Sequence, residues 1–411
     1  MDKQKKKLSP MILLVLISIL VLPAFYSFTY LRGFWNPYQQ MGKVPVAFVN
    51  MDQPVTKDGQ TIDIGKSVEA SLKDNHSVKW EFVNYDEAKA GVEGKKYYAM
   101  VVIPKNFSYD VANAMTDGFK KPVIDATINQ GKNYVFSKIF SAVAQGVQGN
   151  ISKQISEATS MTLIQTLEKG AKLGNNPELL KQISAYIANP VQLNYTTINP
   201  VSLYGEGLAP YFICIALWMG AMYTYFVASS LGKKFKGKFM AKFFKVYLAG
   251  IIMTILQSIV MGIILWAVLG LNPVAMPQFF LYNALISITF YSVLNGLHYI
   301  ITPIMKGSVI VMFLLQLTSC SGLYPIETSP EFFKALHPWI PMTYAVNGLK
   351  MTISGINHEG LVHDVWMLIS FIVVSLILGY LMGRVKALLL HKVDTDKSEL
   401  VSKKEISNRF A

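Results

Sequence analysis

The chain has 411 residues, of which 52% are hydrophobic and 15% are charged, and its formal net charge is +13. Average soluble domains are about one quarter charged, so this composition excludes a purely soluble globular protein and indicates a membrane protein. An uncharged stretch at residues 8–31 follows a basic start. It is longer than a signal-peptide core and has no small-residue cleavage site, which predicts an uncleaved anchor.

The region from residue 32 to residue 207 alternates between strand-like and helix-like patterns. Runs of β-branched and aromatic residues predict strands at 44–50, 78–84, 97–104 and 122–129. The segments between them predict helices at 65–75, 85–95 and 106–115, the last with Asn106 or Ser108 as its cap. This alternation predicts one α/β domain.

A longer helical period runs from Tyr134 to about Leu173. Its apolar residues are spaced by three or four, as in an amphipathic helix with one apolar stripe: Phe136, Phe140, Val143, Val147, Ile151, Ile155, Ala158, Met161, Ile164 and Leu167. The stripe either packs on its own domain or pairs with a second protomer.

Five further uncharged stretches are long enough for membrane spans, which need about 20 residues. They are residues 208–231, 246–270, 279–301, 308–324 and 365–383. The polar side chains within them either bond between helices or line a substrate path: Gln257, Asn283, Asn295, His298 and Gln316.

Charge predicts the orientation of these six spans. With a cytoplasmic N-terminus, the inner segments hold 18 Lys and Arg against five acidic residues, whereas the outer segments hold 20 of each. This asymmetry follows the positive-inside rule, so no nucleic-acid partner is needed to explain the basic charge. The prediction is a cytoplasmic N-terminus and first span (1–31), an extracellular domain (32–207), five spans (208–383) and a cytoplasmic basic tail (384–411). The outer domain has no cysteine, which suits a bacterial surface; Cys214 and Cys320 fall within spans.

Two segments resemble known motifs but do not match their residue spacing. Residues 59–67 resemble a phosphate-binding loop, but five residues separate the two glycines where the motif has four. His358 and His363 are five apart rather than four, which does not match a zinc-binding helix. Residues 357–364 therefore predict an interfacial loop. No catalytic constellation stands out, so we predict a non-enzymatic protein with no metal or cofactor.

Several motifs resemble a known family. "VAFVNMDQPVT", "IGKSVEASL" and "YYAMVVIPKNFS" resemble the N-terminal region of the YhgE/Pip (phage infection protein) family. Residues 199–221 and 321–350 resemble its C-terminal part and type-2 ABC exporter permeases generally. The resemblance implies a polytopic α-helical protein of the bacterial plasma membrane, with six transmembrane helices and an extracellular α/β domain inserted after the first span. It also implies a separate ABC ATPase and a homodimer with the first and fifth spans near the interface.

The resemblance further implies two functional segments. Residues 325–350 would form short re-entrant helices that cap the exit path, with prolines that interrupt helices and aromatics at the interface: Pro325, Pro330, Phe332, Phe333, Pro338, Trp339 and Pro341. The 232–245 loop would dock on the ATPase through an aromatic stripe between lysines: Lys233, Lys234, Phe235, Lys236, Lys238, Phe239, Lys242 and Phe243. Alternatively, this basic loop binds anionic membrane lipids.

One departure from the family separates two functional hypotheses. Full-length phage-infection-type proteins carry a very long helical region between their halves, whereas here one helix and a short linker take its place. This favours an exporter permease that moves an amphipathic or envelope-related substrate outward. The alternative is a non-transporting envelope protein, either a secretion accessory or a surface or phage receptor, that binds partners through its extracellular domain.

Overall fold

The computed structural model describes residues 38–409 except 58, 95, 115, 169–176, 233–234, 236–237, 301–307 and 356. The predicted first span (8–31) and three lysines of the predicted docking loop, Lys233, Lys234 and Lys236, lie outside the described residues.

A mixed sheet forms the centre of the N-terminal domain. Its strands, together with a small hairpin, are β1 Pro45–Asn50, β2 Val55–Lys57, β3 Gln60–Ile62, β4 Lys79–Phe82, β5 Ala99–Ile103, β6 Val123–Asn129 and β7 Gln192–Ile198. The sheet order is β4-β1-β5-β6-β7, and β2 pairs with β3. Only β5 and β6 pair antiparallel within the large sheet. All four predicted strands are present, but β7 and the hairpin were not predicted.

Helices cover both faces of this sheet because its strands alternate in side-chain direction. The helices are α1 Ile64–Lys73, α2 Tyr85–Glu93, α3 Phe107–Ala112, α4 Tyr134–Glu168 and α5 Pro177–Ala188. Val46 and Phe48 of β1 belong to the core shared with α1, α3 and α4. Ala47 and Val49 face the smaller core shared with α2. Helix α5 and strand β7 occupy the segment that the sequence had indicated as a linker.

The long amphipathic helix α4 packs mainly on its own sheet. Phe136 and Phe140 are fully buried and Ile155 is nearly so, within the same core as β1 and β6. Beyond this point Met161 and Ile164 are 65% and 55% exposed. The stripe therefore serves the domain's own core over about two thirds of its length, as the first of the two interpretations predicts.

Four long apolar helices follow, and each is long and apolar enough to cross a membrane. They are α6 Tyr204–Gly232, α7 Phe239–Ala267, α8 Met276–Ile300 and α12 His358–Arg409, whose apolar portion is His358–Leu389. They contain the predicted spans 208–231 and 365–383, all but the last three residues of 246–270, and residues 279–300 of the predicted span 279–301, whose last residue lies outside the described residues. One face of α7 exposes Leu248, Ile252, Leu256, Ile259 and Ile263. Such an apolar face suits a hydrocarbon environment.

The predicted fifth span is shorter in the structure. Helix α9 covers Ser308–Ser319, so the predicted end at residue 324 is wrong. Ser321 adopts a left-handed backbone (φ 57°), which a continuing α-helix does not allow. A Cβ on Gly322 would lie 2.0 Å from the Tyr211 ring, so the chain passes tightly against α6 here.

The last span also differs from its prediction at the N-terminal side. Residues 358–364 belong to α12, so the predicted interfacial loop is wrong for them. Gly355, with φ 78°, ends the preceding helix in the left-handed conformation typical of a C-cap. Helix α11 is therefore capped at Gly355, and α12 begins at His358.

Helix α8 lies at the centre of the bundle. It packs against α6, α7 and α12, and its buried residues include Phe290 and Tyr291. A Cβ on Gly379 of α12 would lie 2.8 Å from the Cα of Gly296 in α8. Small residues at this point let the two backbones approach closely, as is common between membrane helices.

Candidate functional site

The connection between α9 and α12 consists of short helical pieces that begin at prolines. The pieces are a 3-10 turn Ile326–Thr328, helix α10 Glu331–Leu336, a 3-10 turn His337–Trp339 and helix α11 Pro341–Ser354. Pro325 and Pro330 occupy the N-cap positions of the first two pieces, and Pro338 and Pro341 lie in the first turns of the others. Proline fits there because a first-turn N–H has no helical partner.

The aromatic residues of the connection divide into two groups. Phe332 and Trp339 are 62% and 77% exposed, while Phe333 is buried. Exposed aromatics beside a bundle of this kind suit a membrane–water interface. Phe333 instead contributes to packing within the connection, where it contacts the Phe332 ring edge to face.

The connection also contacts the α/β domain. Tyr98 of the domain donates from its hydroxyl to Glu327 over 3.0 Å. Burial, together with the nearby Glu327 carboxylate, raises the pKa of Tyr98. Lys132 holds its ammonium 4.2 Å from the centre of the Tyr98 ring and donates to Tyr97 O over 2.9 Å. Tyr324 packs against the domain's core. The domain and the connection therefore form a continuous contact.

A cavity of about 180 Å³ lies at this junction, with Tyr98, Lys132, Glu327, His337 and Lys350 among its lining residues. Lys350 is the only charged residue in α11, and 8% of it is exposed. Its ammonium donates to Ser321 O over 2.9 Å. Burial lowers the pKa of this ammonium to about 8, because a desolvated charge is disfavoured. Desolvation likewise lowers the pKa of His337, whose Nδ1–H donates to Ser319 O.

A second cavity of about 280 Å³ lies at the other end of the bundle, where α6 ends and α7 begins. Its lining includes Phe239, Lys242, Phe243, Asn295 and His298. The structure therefore brings part of the predicted docking segment together with two of the predicted path-lining residues. A hydrogen bond between its Nδ1 and the Tyr225 hydroxyl further holds His298.

The other three predicted path-lining residues lie elsewhere. Gln257 accepts a hydrogen bond from Thr224 over 3.3 Å, so it joins α7 to α6. Asn283 is fully buried, and neither atom of its amide has a partner among the described residues. Gln316 is also fully buried; its Oε1 accepts from Met342 N, while its Nε2 has no partner in the described part of the chain.

The predicted docking segment is helical from Phe239 onward, but its aromatic stripe faces the bundle. Phe243 is 1% exposed and packs on Tyr299 and Tyr380, which Phe239 also contacts. Phe235 is half-buried against the same core. The exposed side of this first turn carries different residues: Lys238, Met240, Phe244 and Lys245.

The phosphate-loop-like segment is occupied by the protein's own carboxylate. Gly65 N donates to Asp52 Oδ2 over 2.8 Å, and Ser108 N donates to Asp52 Oδ1 over 2.9 Å. A Cβ on Gly65 would lie 2.5 Å from Asp52 Cβ, so glycine permits this approach. Ser108 lies inside α3 and donates from its hydroxyl to Asp52, so of the two predicted caps Asn106 takes the N-cap position. Asn106 stands at the cap position without a capping bond, since its amide donates to Asp110.

The two histidines of α12 do not form a metal site with a third ligand. Among the described residues, no group of three or more His, Cys, Asp or Glu side chains could hold a metal ion. His363 Nδ1 lies 3.0 Å from Asp364, its neighbour, while His358 begins the helix.

Sequence reasoning missed the junction cavity. Tyr98, Lys132 and Glu327 are far apart in sequence, so nothing in their spacing indicates a shared site. Lys350 did carry a signal, because it is a lone charge in an apolar 14-residue helix, and buried lysines are rare without a role.

These features define a multi-pass α-helical membrane protein with an α/β domain packed against one end of its helix bundle. A family model described as "ABC-2 family transporter protein" matches residues 11–381. The chain therefore belongs to the ABC-2 transporter family, and the resemblance to YhgE/Pip-type permeases is confirmed.

Two relatives illustrate the range of this similarity. The uncharacterized protein YhgE of Bacillus subtilis (strain 168) is 30% identical over 165 residues, which cover 40% of this chain and 21% of YhgE. The type VII secretion system accessory factor EsaA of Staphylococcus aureus (strain USA300) is 24% identical over 181 residues, which cover 42% of this chain and 18% of EsaA. The matches thus span about a fifth of each relative. No solved structure matches.

Proposed function

We propose that this protein is the permease subunit of a type-2 ABC-like exporter that moves an amphipathic or envelope-related substrate outward. A separate ATPase would supply the energy. The observation that carries the proposal is the family match across residues 11–381. Cavities at the two ends of one helix bundle, lined by polar and aromatic residues, also support it.

The proposed topology has six spans in a bacterial plasma membrane, with both termini in the cytoplasm. The spans would be residues 8–31 together with α6, α7, α8, α9 and α12. Residues 32–207 and 325–364 would face outward, and the tail from residue 384 would lie inside. In this arrangement the proline-begun helices of 325–350 cap the outer end of the bundle.

The working unit in this proposal is a homodimer, with the first and fifth spans near the subunit interface. Because Phe136 to Ile155 of α4 pack on the domain's own core, the described stripe residues left for a contact between protomers are Ala158, Met161 and Ile164. The mass of the protein in lipid discs tests this: a dimer supports the proposal, and a monomer in both lipid discs and gentle detergent contradicts it.

The start of α7 is proposed as the point where the ATPase docks. Because Phe239 and Phe243 pack inside the bundle, the exposed Met240 and Phe244 are the side chains available to a partner. We expect Met240→Ser with Phe244→Ser to abolish co-purification of an ATPase with the full chain, while every lysine is kept. The double substitution keeps the contacts of Phe243 with Tyr247, Tyr299 and Tyr380 but removes its edge contact with Phe244, so membrane insertion of the variant is confirmed first.

A matched control replaces Tyr109 and Leu180 with Ser, since both are exposed apolar residues in the α/β domain outside the α4 stripe. This control should leave ATPase co-purification unchanged. If the docking variant also retains the ATPase, the basic segment acts as an anchor to anionic lipids, which attract each lysine by about 1 kcal/mol.

The second candidate is a non-transporting accessory or receptor that acts through its α/β domain. The likeness to EsaA, a secretion-system accessory factor, favours it. Absence of any co-purifying ATPase from the native protein, together with capture of a secretion component that depends on the α/β domain, would support this candidate over the exporter.

A further inference from the structure

The junction cavity contains a buried cation, Lys350, that forms no ion pair within the described part of the chain. No carboxylate among the described residues lies within ion-pair distance of Lys350, and its ammonium donates to the carbonyl of Ser321. An ammonium has three donors, so two remain for another acceptor. A buried charge is costly unless it is paired and hydrogen-bonded.

The surrounding groups leave the cavity with positive character. Asp364, buried on α12, lies near His337 but outside the cavity lining. Among the residues that line the cavity, Lys132 and Lys350 contribute two ammonium groups, against the single carboxylate of Glu327. That carboxylate already accepts the Tyr98 hydroxyl. His337, whose pKa is lowered by burial, adds no charge near neutral pH. The Asn347 side chain adds a neutral hydrogen-bonding group to the lining.

The cavity is large enough for a polyatomic anion. Its volume is about 180 Å³, whereas a single water needs only about 10–15 Å³. Most of its lining residues are half-buried rather than fully enclosed, so a ligand can enter from the surface. Lysine binds phosphate as a compact point charge.

We propose that the cavity between the α/β domain and the proline-rich connection binds a phosphate group, with Lys350 as its principal donor. The phosphate comes either from a free anion or from the headgroup of an anionic lipid. This site goes beyond the proposed transport function, because its occupancy requires neither export nor an ATPase. A bound phosphate would contact residues of both the domain and the connection and would strengthen their association.

Thermal unfolding of the full chain in neutral detergent at pH 7 tests the free-anion source, with inorganic phosphate compared against sodium chloride at equal ionic strength. A ligand that binds the folded state raises the unfolding midpoint with its concentration. We expect phosphate to raise the midpoint, and Lys350→Met to weaken the apparent affinity by about tenfold or more, as for loss of a charged donor. Lys334→Met is the matched control, since Lys334 is on the same connection but pairs with Glu331.

A second variant keeps the test valid if Lys350→Met fails to fold. Glu327→Gln preserves an acceptor for the Tyr98 hydroxyl and removes the negative charge from the lining. It should therefore tighten phosphate binding several-fold, because less repulsion opposes the anion. Unchanged or weaker binding in Glu327→Gln would overturn the proposal.

Lipid discs distinguish the two sources of phosphate. Discs of phosphatidylcholine alone are compared with discs that also contain phosphatidylglycerol. A rise in the midpoint that requires both phosphatidylglycerol and Lys350 identifies a lipid headgroup, whereas a Lys350-dependent rise with inorganic phosphate alone identifies a soluble anion. If neither ligand gives a shift that depends on Lys350, the site does not bind phosphate.

Discussion

Lys350 makes the stability of the protein depend on pH in a defined direction. Its pKa in the folded chain is about 8, below the ordinary value of 10.5. Below pH 8 Lys350 is protonated in both the folded and the unfolded state, so the folded state is destabilised by the full cost of burying the charge. Between these two values the unfolded state binds more protons than the folded state, and stability therefore rises with pH.

We therefore expect the wild type to gain stability over Lys350→Met by about 2 kcal/mol between pH 8 and pH 10, since one pKa unit corresponds to about 1.4 kcal/mol. The charged and titratable groups around Lys350 are Glu327, His337, Lys132, Tyr98, Cys214 and Cys320. The measurement is chemical unfolding in phosphate-free buffer, with Lys334→Met for comparison. A difference between wild type and Lys350→Met that stays constant with pH would contradict the assignment.

The buried side chain of Asn283 is expected to destabilise the folded protein for a different reason. Its amide is fully buried on α8 and has no hydrogen-bond partner among the described residues. A buried, unsatisfied polar group costs about 1–3 kcal/mol. We expect Asn283→Leu to raise the unfolding midpoint, measured in detergent, and Asn295→Leu to raise it less because Asn295 lines the second cavity. A lower midpoint for Asn283→Leu would indicate that the amide is satisfied by a bound molecule.

At the scale of helices, replacing glycine with alanine should change the free energy of unfolding in opposite directions at two positions. Gly379 of α12 has the Cα of Gly296 only 2.8 Å from where a Cβ would lie, whereas Gly149 of α4 has open space. Gly379→Ala should destabilise the protein by about 1–3 kcal/mol through overpacking. Gly149→Ala should stabilise it by about 0.5–1 kcal/mol, the gain typical of alanine over glycine in a helix. Unfolding in denaturant measures both, and equal effects would contradict the proposed close packing of α8 and α12.

The elements that could be predicted from sequence are those with a strong local period. Strands such as β1 and β5 and the long helices α6 and α8 follow directly from apolar patterns. Strand β7 was missed because "QLNYTTI" is mostly exposed and lies at the sheet edge, where pairing with β6 rather than hydrophobicity determines its structure. The end of α9 was missed because Ser321, not a proline or glycine, takes the left-handed conformation there.

The functional residues were harder to predict for the same reason. The spacing of the aromatic residues in the docking segment does predict a stripe on one side of a helix, but it does not indicate what the stripe packs on. In the structure, Phe243 of this stripe packs on Tyr299 and Tyr380 of the bundle. Tyr98 and Glu327 are separated by 229 positions, and only the tertiary fold brings them together.

The orientation of the whole molecule can be tested by cysteine labelling. Cys214 and Cys320 are the two cysteines of the sequence, so replacing both with Ala gives a background without thiols. Lys120→Cys then reports on the α/β domain, where its side chain is 61% exposed, and Lys245→Cys reports on the exposed start of α7. The positive-inside asymmetry predicts opposite sides.

A membrane-impermeant maleimide should label Lys120→Cys in intact cells and Lys245→Cys only after lysis. The reverse pattern would invert the proposed topology and place the junction cavity in the cytoplasm.

The carboxylate of Asp52 acts as a tethered internal ligand. It occupies the amides of Gly65 and Ser108 that would otherwise face a free anion. A tethered group competes at an effective concentration in the millimolar range or above. A nucleotide would have to displace it from two helices, α1 and α3, at once. The domain is therefore self-inhibited toward phosphate at this position.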